Sequence, residues 1–218
     1  FYKYFAKNAV NFANKNTLIT LEAFPRSGQT FLRYFLENYT KKISSHTHSV
    51  CNLKLSIKHK VKMIIILREP SESISSFINY RKKISNTDYK IENSLDDWLD
   101  FYEFIFNNRK SNLILIVNFD NLIKYREKFY KEILEFSGIN SNKIKKNLNL
   151  TLKRVNKKKI NNKLFSLKHK SERNLEKEQI KKKILKNSRY KKIFKIYTKL
   201  LNDKVFNNNR NIKFRTNN

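Results

Sequence analysis

Thr17-Leu18-Ile19-Thr20-Leu21-Glu22-Ala23-Phe24-Pro25-Arg26-Ser27-Gly28-Gln29-Thr30 decides the fold of this chain. Its first eight residues are rich in β-branched and apolar side chains, as expected of a buried parallel strand. The next six hold one of the two prolines and one of the two glycines in 218 residues. A chain so poor in turn formers has a backbone reason to place them together. Pro25 fixes the exit from the strand, and Gly28 opens dihedrals closed to other residues. Beyond the loop, Leu32, Phe35, Leu36 and Tyr39 recur at the spacing of one helix face. Residues 27–30 therefore fall at a helix N-terminus, where unpaired N–H groups and the helix dipole favour an anion. Arg26 and the Thr30 hydroxyl add a fixed positive charge and a donor. An ordinary βα turn with a solvated Arg accounts for the same residues, so a second motif has to decide between the two.

The rest of the chain supplies the frame. Ile43 to His48 reads as a short second strand or its exit. Lys62-Met63-Ile64-Ile65-Ile66-Leu67 is the strongest apolar run, a buried strand ended by Arg68-Glu69-Pro70. Ile74, Phe77 and Ile78 start a helix. Leu95, Trp98, Leu99, Tyr102, Ile105 and Phe106 mark an amphipathic one, with Asp96, Asp97 and Asp100 on its other side. Asn112 to Phe119 is another buried strand, and Phe129, Ile133 and Phe136 lie on a helix that Gly138 closes. Helices over 174–186 and 189–202 precede an Asn-rich end. Alternating strands and helices predict an α/β fold, a central parallel β-sheet flanked by helices. Ligands of such sheets bind beyond the carboxyl ends of the strands, where both Pro-containing motifs sit.

Composition bounds the function. Nothing resembling a linker divides the chain, so one domain is expected over 1–218, an α/β core in 1–138 and a basic, mainly helical part in 139–218. There is no 18-residue apolar run and no signal-peptide order at the N-terminus, which predicts a soluble protein without a membrane segment. The chain begins at Phe1 rather than Met, leaving room for an upstream segment. Cys51 is the only cysteine, which excludes an internal disulfide and a Cys-based zinc site and suits the reducing cytoplasm. The net charge of +30 is uneven: residues 139–218 hold 26 Lys/Arg against 4 Asp/Glu. A surface for nucleic acid, anionic lipid or an acidic substrate is one reading, and compositional drift toward Lys, Asn and Ile is the other. The positive residues alternate with Asn and form no basic-aromatic stripe, which favours drift, and no specific nucleic-acid partner is expected.

With these elements in place, the chain resembles the sulfotransferases that use 3′-phosphoadenosine 5′-phosphosulfate (PAPS). Phe24 to Leu32 is similar to that family's 5′-phosphosulfate-binding loop, commonly Tyr-Pro-(Lys/Arg)-Ser-Gly-(Thr/Asn)-Thr-Trp-Leu. Leu67-Arg68-Glu69-Pro70-Ser71-Glu72-Ser73-Ile74-Ser75-Ser76 resembles its 3′-phosphate element, in which an Arg ends a strand and a Ser eight residues later lies on the next helix. Val117-Asn118-Phe119-Asp120-Asn121-Leu122 resembles a strand-ending Tyr-Glu-Asp-Leu, and Ile133 to Gly138 an Ile-Leu-x-Phe-x-Gly run. Three motifs occur in order over about residues 17–139.

The resemblance implies a P-loop-like fold and a role for each residue. Arg26 would touch the 5′-phosphate and the oxygen bridging to sulfur, where negative charge builds as the S–O bond breaks. Ser27, Gly28, Gln29 and Thr30 would hold the 5′-phosphate, Arg68 and Ser76 the 3′-phosphate, and Phe31 would lie against adenine. A base is needed to take the acceptor's proton. In the cytosolic branch it is a His of a Lys-Thr-His segment, to which Ser44-Ser45-His46 is the local match; His46 is first choice and His48 second, with Glu37 the candidate if both fail. No metal is implied. The acceptor, a small molecule or saccharide, is not specified by motifs that report only the donor side, nor is the oligomeric state.

Three departures stand out. Gln29 replaces a common Thr or Asn. Phe119 replaces a Tyr and loses a hydroxyl that could bond the cofactor. The family's C-terminal Arg-Lys-Gly segment is absent, with no Gly after Gly138, and Lys168 and Arg173 are the candidates to replace it. A P-loop nucleotide kinase would need Gly-x-x-x-x-Gly-Lys-Ser/Thr, and here no Lys follows Gly28. A basic nucleic-acid-binding protein would leave the phosphate motifs and their spacing unexplained, and a sulfotransferase-like protein that binds without turnover would keep them.

Overall fold

The computed structural model describes residues 12–85, 90–124, 126–161 and 170–204. Four strands form one parallel sheet: β1 (Ile19–Ala23), β2 (Ile43–Ser45), β3 (Lys62–Leu67) and β4 (Ile114–Asn118), in spatial order β2-β1-β3-β4. The helices are α1 (Gln29–Leu36), α2 (Val50–Lys58), α3 (Pro70–Ser85), α4 (Ile91–Asn108), α5 (Phe119–Leu122), α6 (Glu127–Ser137), α7 (Ile144–Asn161), α8 (Lys170–Lys186) and α9 (Arg189–Lys204). The expected α/β class is observed, as are β3 and the two C-terminal helices. The strand expected over 112–119 ends at Asn118, because the Asn118 side chain accepts from the Asp120 N–H and caps α5, which Phe119 begins.

The period-2 geometry of the strands divides the core into two layers. Ile64, Ile66, Leu115 and Val117 join Ile19, Leu21 and Ala23 on one face, packed by Leu32, Phe35 and Leu36 of α1, Tyr130 and Ile133 of α6 and Leu148 of α7. Met63, Ile65, Leu67, Ile114 and Ile116 face the other way, onto Trp98 and Tyr102 of α4, Ile184 of α8 and Ile193 and Leu200 of α9. The C-terminal helices thus contribute buried side chains to the same core as β3 and β4.

β1 breaks the apolar pattern. Its second face carries Thr20 and Glu22, both fully buried. α2 answers with a polar face: Ser56 Oγ lies 2.7 Å from Thr20 Oγ1, and Asn52 Nδ2 donates to Glu22 Oε1 at 2.8 Å. Asn52 also accepts from the Ala13 N–H and donates to Ser44 Oγ. The side chains of Thr20, Glu22, Ser44, Asn52 and Ser56 each have a partner of matching chemistry, which is the condition for burying them. Replacing Asn52 by the near-isosteric Leu strands several of those groups at once and is expected to lower unfolding free energy by ~3 kcal/mol or more. Ile193→Val, in the opposite layer, should cost ~1 kcal/mol. Urea unfolding compares the two; equal losses would show that the polar patch adds nothing.

Candidate active site

β1 and β3 lie side by side with Ala23 opposite Ile66, so their carboxyl ends open at one point. The buried Tyr102 hydroxyl pins both ends, donating to Ile66 O at 2.7 Å and accepting from Phe24 N at 3.4 Å. The loop leaving β1 turns through two left-handed residues, Arg26 (φ 68°) and Gly28 (φ 83°), and Gly28 caps α1. Gly28 is required for space as well as dihedral: a Cβ there would lie 2.8 Å from Phe119 Cε2. The Phe119 ring in turn carries the Arg68 guanidinium, with Cζ 4.4 Å from the ring centroid. Arg68 Nη1 closes the circuit by donating to Arg26 O at 2.6 Å. The three loops that follow β1, β3 and β4 therefore touch one another through specific side chains.

Two arginines meet here, through the Arg68 guanidinium and the Arg26 carbonyl. Arg26 lies over the Tyr80 ring at 4.8 Å. Although open to solvent, it is crowded enough that desolvation lowers its pKa; Tyr80 opposes the shift and the charge of Arg68 adds to it. Burial also lowers the pKa of Arg68, against the pull of Glu72, Asp120 and Glu69. Both stay charged at neutral pH. Glu69 is engaged elsewhere: it accepts from the N–H groups of Ser71 and Glu72 at the start of α3 and from the Tyr190 hydroxyl. Ser27 Oγ is buried without a hydrogen-bond partner, and Ser76, on α3, shows none among the described residues.

The histidines stand on the loop after β2, both left-handed, His46 at φ 64° and His48 at φ 49°. Glu22 holds that loop. Its carboxylate accepts from Thr47 N (3.1 Å), Thr47 Oγ1 (2.6 Å), His48 N (3.0 Å), Asn52 Nδ2 (2.8 Å) and Gln29 Nε2 (3.3 Å), and no cation pairs with it among the described residues. The two rings differ in tautomer. His48 Nδ1 lies 2.6 Å from Ala23 O, an atom that only accepts, so Nδ1 carries the proton and Nε2 the lone pair of the neutral ring. His46 Nδ1 faces Arg33 Nη1, which only donates, at 3.5 Å, and Ser45 Oγ at 3.2 Å; its Nε2 then donates to Thr30 Oγ1 at 3.2 Å.

Arg26, Ser27, Gly28, Gln29, Thr30, His46, His48, Arg68, Ser76 and Phe119 are all carried on the elements that open at this strand end. Phe31 is half-buried, its ring edge-on to Tyr130 at 6.3 Å. Glu37 is occupied: burial raises its pKa, but bonds from Arg33 and Arg154, each 2.7 Å, outweigh it and keep the carboxylate below its usual range. Lys168 lies outside the described residues, and Arg173 is on the first turn of α8. Sequence reasoning missed Glu22, Tyr80 and Tyr102. A lone acid inside an apolar strand was the available signal for Glu22, and the spacing of Tyr80, four residues past Ser76, was the one for Tyr80.

A family model described as the sulfotransferase domain matches residues 7–205 of this chain. Among solved structures, mouse sulfotransferase SULT7A1 complexed with PAP superposes with a TM-score of 0.52 at 18% identity, over 64% of this chain and 66% of that one, just under two thirds of its length. No curated protein sequence matches significantly.

The contact between Gly28 and Phe119 is directly testable. Gly28→Ala imposes both a left-handed alanine and the clash with the ring, an expected loss of ~2–4 kcal/mol. In a Phe119→Leu background the clash is relieved and only the backbone cost of ~1–2 kcal/mol should remain. A double-mutant cycle in urea measures the difference; strict additivity would mean that the two residues do not meet.

Proposed function

The chain belongs to the sulfotransferase domain family, and from that membership we propose that it transfers a sulfuryl group from PAPS to a hydroxyl or amine acceptor by in-line attack. The observation that carries this reading is the pairing of Arg26 with Arg68 at the adjoining ends of β1 and β3, joined by a hydrogen bond and backed by Tyr80 and Phe119. The donor set suits a ligand with two phosphates: a helix N-terminus, two guanidinium groups, the Ser27 hydroxyl, buried with no partner among the described residues, and the Ser76 hydroxyl.

When bound, PAPS supplies an activated sulfuryl group on its 5′-phosphate. The N–H groups at the start of α1, with the hydroxyls of Ser27 and Thr30, hold that phosphate, and Arg26 sets a fixed cation where charge develops on the bridging oxygen. Arg68 and Ser76 grip the 3′-phosphate. His48 takes the acceptor's proton at Nε2, because the Ala23 carbonyl holds its other nitrogen in the protonated state. His46 orients the Thr30 hydroxyl instead of acting as base. Positive charge comes from arginine, so the reading uses no metal. Residues 1–218 act as one domain by this account, supported by the burial of Ile180, Ile184 and Ile193 against β3 and β4. No helix among the described residues is long and apolar enough to cross a membrane. A small molecule or saccharide is the proposed acceptor, and the cytoplasm the proposed location.

Labelled donor with panels of alcohol, amine and saccharide acceptors assays the activity. Arg26→Ala should lower transfer by ~100-fold or more while leaving PAP affinity within a few-fold. Arg68→Ala should weaken PAP by at least ~10-fold. His48→Ala should lose turnover with PAP affinity kept, and His46→Ala should lose less. Full activity in Arg26→Ala would sink the mechanism, and a larger loss at His46 than at His48 would return the base to His46.

A further inference from the structure

Arg68, Glu72, Ser76 and Tyr80 recur every four residues, so the face of α3 that starts beside Arg68 ends beneath Arg26. α8 lies along α3 and presents Lys177 and Lys181, themselves four apart, to the middle of that face. Lys177 Nζ bonds Glu72 Oε2, and Lys181 Nζ bonds Glu72 Oε1 at 2.5 Å. Arg68 Nη2 is 3.7 Å from the same carboxylate. One carboxylate thus meets three cations, Arg68 among them, on the helix face that also carries Ser76, and Arg68 and Ser76 are the groups assigned above to the 3′-phosphate. Glu69 and Asp120 also face this region, yet with Arg26 the cluster stays net positive.

We propose that Lys177 and Lys181 are donor-binding residues: Glu72 holds their ammonium groups beside Arg68 and Ser76, and a phosphate monoester on the 3′ position of a nucleotide draws them from Glu72 onto itself. The inference rests on the two-phosphate reading of the site. The exchange is favoured because a phosphate near neutral pH carries more charge and more acceptor oxygens than a carboxylate. The lysine–Glu72 pairs are partly exposed, so water screens part of what is given up when they open. The long lysine stems reach the new position by rotamer changes, with no movement of α8. Glu72 is held down to about 2 by the two lysines against the effect of burial, so it stays ionised throughout the range in which an enzyme would be assayed.

Calorimetric titration with PAP and with AMP, which lacks the 3′-phosphate, separates this role from a structural one. The Lys177→Met, Lys181→Met double variant keeps the apolar stems and should bind PAP at least ~10-fold more weakly, with AMP within about twofold of wild type. Glu72→Gln, which frees both lysines, should tighten PAP by a few-fold and leave AMP unchanged. Equal losses for PAP and AMP, or an unchanged PAP-to-AMP ratio in both variants, would overturn the assignment. A wild-type protein that binds AMP as well as PAP would overturn the two-phosphate reading itself, and the assignment with it. Should the double variant fail to fold, the PAP-to-AMP ratio in Glu72→Gln decides the matter alone.

Discussion

Glu22 is a carboxylate in the middle of a sheet with no cation beside it among the described residues, and much of the site follows from how the protein replaces its water. Removing such a group from solvent costs several kcal/mol unless donors converge on it. Five do, and they come from separate parts of the chain: Gln29 from the start of α1, Thr47 and His48 from the histidine loop, Asn52 from α2. The charge therefore acts as a fastener. It sets the backbone path on which His46 and His48 stand, and it joins that path to the loop after β1.

The opposite side of the site is fastened by packing. Gly28, Phe119, Arg68 and Arg26 form a closed ring of contacts across three loops, with Tyr102 anchoring the strands beneath. Both arginines in this ring are crowded enough that desolvation is the largest influence on their pKa values, and Glu72, Asp120 and Glu69 offset it at Arg68. On the proposed reading, a doubly phosphorylated nucleotide would bring acceptor oxygens to both guanidinium groups, which stand ready before it arrives.

Much of this was legible in the sequence. β1, β3 and the loop after β1 were visible because apolar runs and a clustered Pro and Gly are local signals. α2 was not, because the side it buries is Asn52, Leu53 and Ser56, and apolar periodicity is silent when a helix packs through polar atoms. The sequence read Phe119 as the last residue of a strand that stops one residue earlier, since the Asn118 cap, not hydrophobicity, ends β4. The hydrogen bonds of the two histidines were out of reach, because no local pattern says which ring nitrogen meets a carbonyl oxygen. Lys177 and Lys181 were hidden for another reason: in a helix crowded with lysines, nothing local distinguishes the two that face a carboxylate.

Arg26, His46 and His48 share a property that bears on how this protein could be improved. All three hold left-handed backbone conformations that cost a side-chain-bearing residue ~1–2 kcal/mol each, in a chain that spends glycine almost nowhere. Asparagine tolerates that conformation better than either arginine or histidine. A selection that rewards heat resistance alone will therefore drift toward asparagine at these positions and discard the guanidinium and imidazole groups. Any programme of directed evolution on this scaffold has to score turnover and melting together, because on the proposed reading these positions carry the chemistry as well as the strain.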